Sequence, residues 1–407
     1  MNRRVHLALV IMAAIALPAS LRAGDTATIA KRAALFTPQG RAEGFRSMDT
    51  AYPYHVIKRG GAIAELPRAL RKLDVTYMFA GKQHTLDDLL ARSRTQGFLV
   101  IKDGKIVDER YFNGANDKSK FTSWSVAKSF TSTLVGLALA DGKIKSLDEP
   151  VTNYLPELKG SGYEGVPIKD ILEMSSGVKF NEEYGKDESD VMIMWRKTMD
   201  EESETLADYA KSLGRAEVPG TKFVYRSIDT AVLGMLVKRV TGESLAGMLS
   251  QRIWQPLGME SDATWLTDQP GAGALEAAYC CINARLRDYG RFGLLFLNQG
   301  KAGAKQVVPA WWVEQATTPQ SSPVQWGHLF PDYPDYPGGY GYQWWLMEPG
   351  ARHSYSAEGV FFQFVFVMPK YNTVIAKASA YDDYWSVPLQ LEQFTAFDAI
   401  GRALEKN

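Results

Sequence analysis

Cysteine is nearly missing from this chain: of 407 residues only Cys280 and Cys281 carry thiols, and they are neighbours. A disulfide framework is therefore excluded, and two buried thiols at a tight turn are expected, since bridging adjacent residues strains the peptide between them. With no histidine close by, the pair also makes a poor metal site. Histidine is scarce as well, with five in all. No G-x-S-x-G elbow occurs, so a Ser-His-Asp hydrolase has little to build on, and His353 is the one histidine placed near a terminal strand. Net charge is lacking too: 46 basic residues balance 46 acidic ones. Without a long basic run, nucleic acid and anionic membrane surfaces are poor partners, and a small neutral or amphipathic ligand suits the chain better. Repeats and low-complexity tracts are absent.

With 45% hydrophobic and 23% charged residues, the chain is globular and long enough for one large core or two smaller ones. Residues 1–23 read as a secretory signal. Arg3 and Arg4 precede the largely apolar run Val5 to Leu17, Pro18 breaks it, and Leu21-Arg22-Ala23 offers a cleavage site. That run is short and soon interrupted for a membrane span. The mature protein is expected to be periplasmic or secreted, with no stable membrane span.

Residues 24–95 are loosely patterned and read as a wrapping segment without a motif. Two β-rich runs then flank Lys102-Asp103-Gly104-Lys105, predicting a hairpin over 97–112. Next comes Phe121 to Phe130, with Ser125 and Lys128 three apart at the start of a helix that is apolar nearly all round and ends at Asp141-Gly142. Such a helix is buried, so Ser125 at its start would lie in the floor of a cleft near the positive end of the dipole. S-x-x-K by itself occurs by chance in many helices, but i and i+3 share a face, and a lysine there can serve a serine as base.

Tyr225 and Ser227 sit on a loop before a helical run, where Ser227 also suits an N-cap. The acidic clusters Asp187-Glu188 and Asp200-Glu201-Glu202 read as a solvated helical face. From Gly341 onward the pattern turns to antiparallel strands, including Tyr355 to Gly359, Phe361 to Met368 and Thr373 to Ala378, followed by a helix over 389–404. Strands at both ends and helices between predict an α/β fold of the α+β type. An antiparallel sheet flanked by helices comprises 96–145 and 285–407, a mostly helical domain comprises 146–284, and the active-site cleft lies between them.

Ser125-x-x-Lys128, Tyr225-x-Ser227 and the terminal-strand triplet Ala357-Glu358-Gly359, in this order, resemble the β-lactamase-related serine hydrolases over residues 95–400. The strips Ser175-Ser176-Gly177, Glu182-Glu183-Tyr184, Cys280 to Ala284 and Gly341 to Trp345 look closest to the 6-aminohexanoate-dimer hydrolase and carboxylesterase branch. The resemblance implies a serine β-lactamase/transpeptidase-like fold and an acyl-enzyme on Ser125. Lys128 would act as base, and Tyr225 as acid/base partner through hydrogen bonds shared with Lys128 and Ser125. The backbone N–H groups of Ser125 and Val360 would form the oxyanion hole. Tyr184, Ser227, Ala357, Glu358 and Gly359 would border the substrate, with Tyr184 lying over it, and no cofactor or metal is required. Where penicillin-recognising members start the triplet with a cationic or histidine residue, this chain has Ala357. A carboxylate-bearing substrate loses its partner there, which favours neutral esters or linear amides over β-lactams and D-alanyl-D-alanine peptides. A catalytically silent envelope protein is the reading from another class; the presence of Ser125, Lys128 and Tyr225 together argues against it.

Overall fold

The computed structural model describes residues 26–330 and 336–405, so the signal-like segment 1–23 lies outside the described residues. The main sheet has seven antiparallel strands: β1 (Thr95–Lys102), β2 (Lys105–Tyr111), β3 (Gly339–Tyr340), β4 (Trp345–Leu346), β5 (Tyr355–Gly359), β6 (Gln363–Met368) and β7 (Thr373–Ser379). Their spatial order is β3-β4-β5-β6-β7-β1-β2, so the two ends of the sequence meet at the β7–β1 pairing, with Ile375 opposite Val100. The β1–β2 hairpin turns at Asp103 and Gly104, with φ of 50° and 74°. Both residues are left-handed, as the turn that matches strand twist requires.

Five helices frame the sheet and the cleft: α1 (Thr26–Ala34), α2 (Ala127–Ala140), α3 (Ser227–Thr241), α4 (Leu286–Leu297) and α5 (Val387–Glu405). Helix α4 lies on one face of the sheet, close enough that a Cβ on Gly293 would come within 2.5 Å of Val374. On the opposite face, Phe394 and Phe397 of α5 pack on Phe364 and Phe366. Helix α2 is buried from Ala127 to Ala138, as its all-round apolar sequence predicts, and packs against α3.

A second, four-stranded sheet was not anticipated. It runs Tyr54–Ile57, Ala263–Leu266, Ile282–Arg285, Lys120–Thr122, drawing short strands from distant parts of the chain. None is long enough to show a clear period-two pattern. Its value to the site is that Lys120–Thr122 leads straight into the turn that carries Ser125. Further toward the C-terminus, the extended reading of Gly341 to Leu346 shrinks to β4, because Gln343 turns with φ 64°. Phe361 and Phe362, read as strand, form the β5–β6 turn with φ of 63° and 67°.

The two cysteines correct the expectation of free thiols. Cys280 and Cys281 form a disulfide and both are buried. Cys281 takes a left-handed φ of 70°, and this tight turn brings the two side chains together.

Candidate active site

Ser123 fixes the entry to the site. Its N–H donates to Ile282 O at 2.7 Å and its hydroxyl accepts from Ile282 N–H at 2.9 Å, tying the end of one small-sheet strand to the next. Trp124 then adopts φ 44°. A non-glycine residue there costs about 1–3 kcal/mol, which must be offset by packing. The indole supplies that packing: its ring lies 5.1 Å from Phe45, 5.4 Å from Phe361 and 5.9 Å from both Phe36 and Trp195. The strained turn carries Ser125 to the cleft floor, one turn ahead of Lys128.

Lys128 Nζ has three oxygen partners: Ser125 Oγ at 2.9 Å, Ser227 Oγ at 3.1 Å and Tyr279 O at 3.0 Å. Burial pulls its pKa down to about 7, with the Glu182 charge opposing. The hydrogen-bond inventory then assigns directions. Tyr279 O can only accept. Ser227 gives its proton to Glu182 Oε1 at 2.5 Å, so toward Lys128 it accepts. A neutral amine has two N–H donors and one lone pair. Both donors are taken, and the lone pair faces the Ser125 hydroxyl.

Glu182 enters the sequence reading only as part of the Glu182-Glu183-Tyr184 strip, without a role, yet it organises this network. Its Oε2 also accepts the Ser227 backbone N–H at 2.8 Å, and its Oε1 accepts the Tyr184 hydroxyl at 2.6 Å. It lies in a loop, 45 residues from Ser227, so no local pattern marks it.

Tyr225 departs from the expected hydrogen bond to both partners. Lys128 Nζ lies over its ring, 4.9 Å from the centroid, because the lysine's bonding directions are already occupied. Burial pushes the phenol pKa up, and the neighbouring Ser125 side chain opposes that push. Trp345 stacks on the ring at 5.6 Å. Tyr184 stacks at 5.3 Å on Tyr384 across the cleft.

The end of β5 passes directly over the Ser125 turn. A Cβ on Gly359 would sit 2.7 Å from Ser123 O and 3.0 Å from Ser125 N, so only glycine allows this approach. Strand alternation then corrects one expectation. Ala357 faces the inner core and lines neither lobe of the cleft, so it does not border the substrate. Glu358 turns the other way, toward α5, where Gln390 Nε2 donates to its Oε2 at 2.6 Å. It also contributes to the cleft wall, and burial pushes its carboxyl up to about 8. His353 is bonded to Thr317 O and Gly350 O and lines neither lobe.

The cleft has two lobes that share Ser125, Tyr184, Val360 and Tyr384. One, about 200 Å³, is walled by Ala33, Phe36, Trp124, Trp195, Asp200 and Cys280. The other, about 400 Å³, holds Tyr225, Trp345, Glu182, Glu358, Asp383 and Trp385. Asp200 is thus not on a solvated face as expected: it accepts from Tyr52 OH at 2.8 Å and Trp195 Nε1 at 3.2 Å. Among the described residues lining either lobe there is no lysine or arginine. A larger groove of about 670 Å³ lies elsewhere, but its Arg94 and Arg110 are paired with Asp382, Asp87 and Asp108, and it holds no activated nucleophile.

A sheet flanked by helices, with a serine, a buried lysine and a tyrosine meeting near the end of β5, defines a serine hydrolase of β-lactamase/transpeptidase-like fold. The chain belongs to the Beta-lactamase family, whose model matches residues 83–386. It is 31% identical over 304 residues to the 6-aminohexanoate-dimer hydrolase of Paenarthrobacter ureafaciens, covering 73% of this chain and 76% of that protein. Among solved structures, a Bacillus anthracis protein provisionally described as a 6-aminohexanoate-dimer hydrolase superposes with a TM-score of 0.82 at 24% identity, over 91% of this chain and 96% of that one. A class C β-lactamase gives 0.57 at 17% identity, over 79% and 95%; these two likenesses concern the fold.

Proposed function

We propose that this protein is an exported serine hydrolase that cleaves small esters or linear amides through an acyl-enzyme on Ser125. The observation that carries the reading is the lone-pair assignment at Lys128: with Tyr279 O and Ser227 Oγ accepting, the remaining direction takes the Ser125 proton. As that proton moves to Lys128 Nζ, Ser125 Oγ bonds the substrate carbonyl carbon. The oxyanion that forms lies between the N–H groups of Ser125 and Val360, a kind of contact worth about 2.7–4 kcal/mol per donor.

Tyr225 passes a proton to the leaving amine or alcohol as the C–N or C–O bond breaks, while Lys128 holds the proton taken from Ser125. Tyr225 borders only the larger lobe, so the leaving group belongs there and the acyl group in the smaller one. Water then attacks the acyl-enzyme, its proton going to the Tyr225 phenolate, and the Ser125 oxygen leaves with the proton held on Lys128. Tyr184 packs over the bound substrate. Ser227 and Glu182 keep the base oriented.

The acidic lining supports neutral or cationic substrates, because a penicillin carboxylate would meet Glu182 and Asp383 with no cation to pair with. The likeness to a 6-aminohexanoate-dimer hydrolase supports linear amides. Export is supported by the signal-like residues 1–23 and by the Cys280–Cys281 disulfide, a bond that persists in oxidising compartments. Among the described residues no helix is long and apolar enough to cross a membrane. The test is incubation with p-nitrophenyl acetate, 6-aminohexanoate linear dimer and nitrocefin, comparing the native chain with Ser125→Ala. Turnover of the first two with an acyl adduct on Ser125 by mass spectrometry is expected. No turnover and no adduct would sink the enzyme reading, and nitrocefin as best substrate would overturn the substrate preference.

A further inference from the structure

The smaller lobe is closed by a part of the chain that carries no catalytic motif. Ala33, at the end of α1, and Phe36, just after it, line the lobe that contains Ser125. Phe36 is only partly buried, and its ring meets Trp124 and Trp195 at 5.9 Å each and Phe45 at 6.1 Å. One interlocked aromatic wall therefore runs from the N-terminal segment to the residue preceding the nucleophile.

Arg32 fastens this segment to the lobe itself. It is 3% exposed, and its guanidinium donates to Ala51 O at 3.0 Å, Met199 O at 2.8 Å, Asp200 O at 2.7 Å and Glu202 Oε1 at 2.5 Å. It also stands 4.7 Å over the Tyr52 ring. Three of those bonds reach the 199–202 turn, which carries Asp200, another wall of the same lobe. A segment that merely wraps a surface needs apolar contact; a buried arginine with four of its five N–H donors used fixes position as well.

We propose that residues 26–36 form a specificity element that sets the length of acyl chain the enzyme accepts, with Phe36 as the end wall and Arg32 as the positioning residue. This rests on the proposed acyl-enzyme only for the word acyl; the binding preference itself needs no chemistry. A lobe of about 200 Å³ has room for roughly six or seven water-sized groups, taking about 30 Å³ for each. Straight chains of about six heavy atoms should fill it.

The test uses the full chain carrying Ser125→Ala, titrated calorimetrically with straight-chain primary amides from propanamide to octanamide. Affinity should rise roughly fourfold per methylene until the lobe is filled, then level off. Adding Phe36→Ala should move the levelling point two or three carbons further. Adding Ala33→Trp should move it the other way. Arg32→Lys, which keeps the charge and loses the fork, should weaken hexanamide severalfold while leaving propanamide within twofold. An unchanged levelling point in both wall variants overturns the proposal. If circular dichroism shows Phe36→Ala unfolded, Ala33→Trp decides alone, because Ala33 is exposed and tolerates added bulk. A shifted binding profile in a protein whose native form turns over no ester or amide would refute the hydrolase reading and leave the specificity element standing.

Discussion

The Glu182 carboxylate holds Ser227 at two points, accepting its hydroxyl proton on Oε1 at 2.5 Å and its backbone N–H on Oε2 at 2.8 Å. The two contacts commit the Ser227 proton away from Lys128. Glu182 also raises the Lys128 pKa against the larger effect of burial. Glu182→Gln separates these roles. The hydroxyl is free to rotate, so kcat should fall roughly 10- to 100-fold, the scale of a small misplacement of reacting groups. Loss of the negative charge should also move the acid limb of kcat/KM to lower pH. Ser227→Ala combined with Glu182→Gln should cost little more than either alone, as expected for one shared network. An unmoved acid limb with fully additive losses would show that Glu182 is only a loop anchor.

As the proposed base, Lys128 must be neutral to act. With its pKa near 7, kcat/KM should fall as pH drops below about 7 and hold above it until other groups titrate. Lys128→Met should lose roughly 10²–10⁴-fold, the usual worth of a positioned base. Lys128→Arg should not recover it, because a guanidinium stays protonated. A p-nitrophenyl acetate pH–rate profile that stays flat from pH 5.5 to 9 would count against this base.

Much of this machinery was legible because it is local. Ser125 and Lys128 share a helix face by spacing alone, and Asp103-Gly104 marks its hairpin by the φ values that it needs. What escaped depends on distant segments meeting. Glu182 acquires its role from a helix start 45 residues away, and Phe36 and Asp200 become cavity walls only once α1 and the 199–202 turn are clamped by Arg32. The strain of bridging neighbours argues against a Cys280–Cys281 bond, whereas the left-handed φ of Cys281, set by the turn around it, brings the two together. Ala357 and Glu358 show a different limit. Sequence places both on the terminal strand, but which of two alternating residues faces the cleft depends on the register of β5 against β6 and on α5 behind it.

Glu358 should tie stability to pH. Its folded pKa of about 8 lies above the ordinary carboxylate value of 4.5, because burial penalises the charged form and Oε1 has no hydrogen-bond partner. Folded protein therefore binds more protons than unfolded protein between those values, and stability falls as pH rises through that window, by up to about 1.4 kcal/mol per unit from this group. Glu358→Gln stays neutral and keeps an oxygen for Gln390. Urea unfolding should find the variant close to the parent at pH 4.5 and more stable at pH 8.5. Parallel stability curves for the two proteins would contradict the assignment.

Gly359 makes the approach of β5 to the nucleophile possible, and its replacement tests the oxyanion site without touching a side chain that moves protons. In Gly359→Ala the new methyl would lie 2.7 Å from Ser123 O, 2.9 Å from Trp124 Cβ and 3.0 Å from Ser125 N. The neighbours there are mostly backbone, so the strand must lift, carrying the Val360 N–H away from the oxyanion position proposed between it and the N–H of Ser125. Weakening one oxyanion donor costs about 10²–10³ in kcat in comparable sites. The fall should appear in kcat more than in KM, because the donor acts on charge that develops only in the transition state. The acid limb near pH 7 should stay in place, since Lys128 keeps its three partners. Full activity in a folded Gly359→Ala protein would remove Val360 from the oxyanion site and place the second donor elsewhere in the cleft.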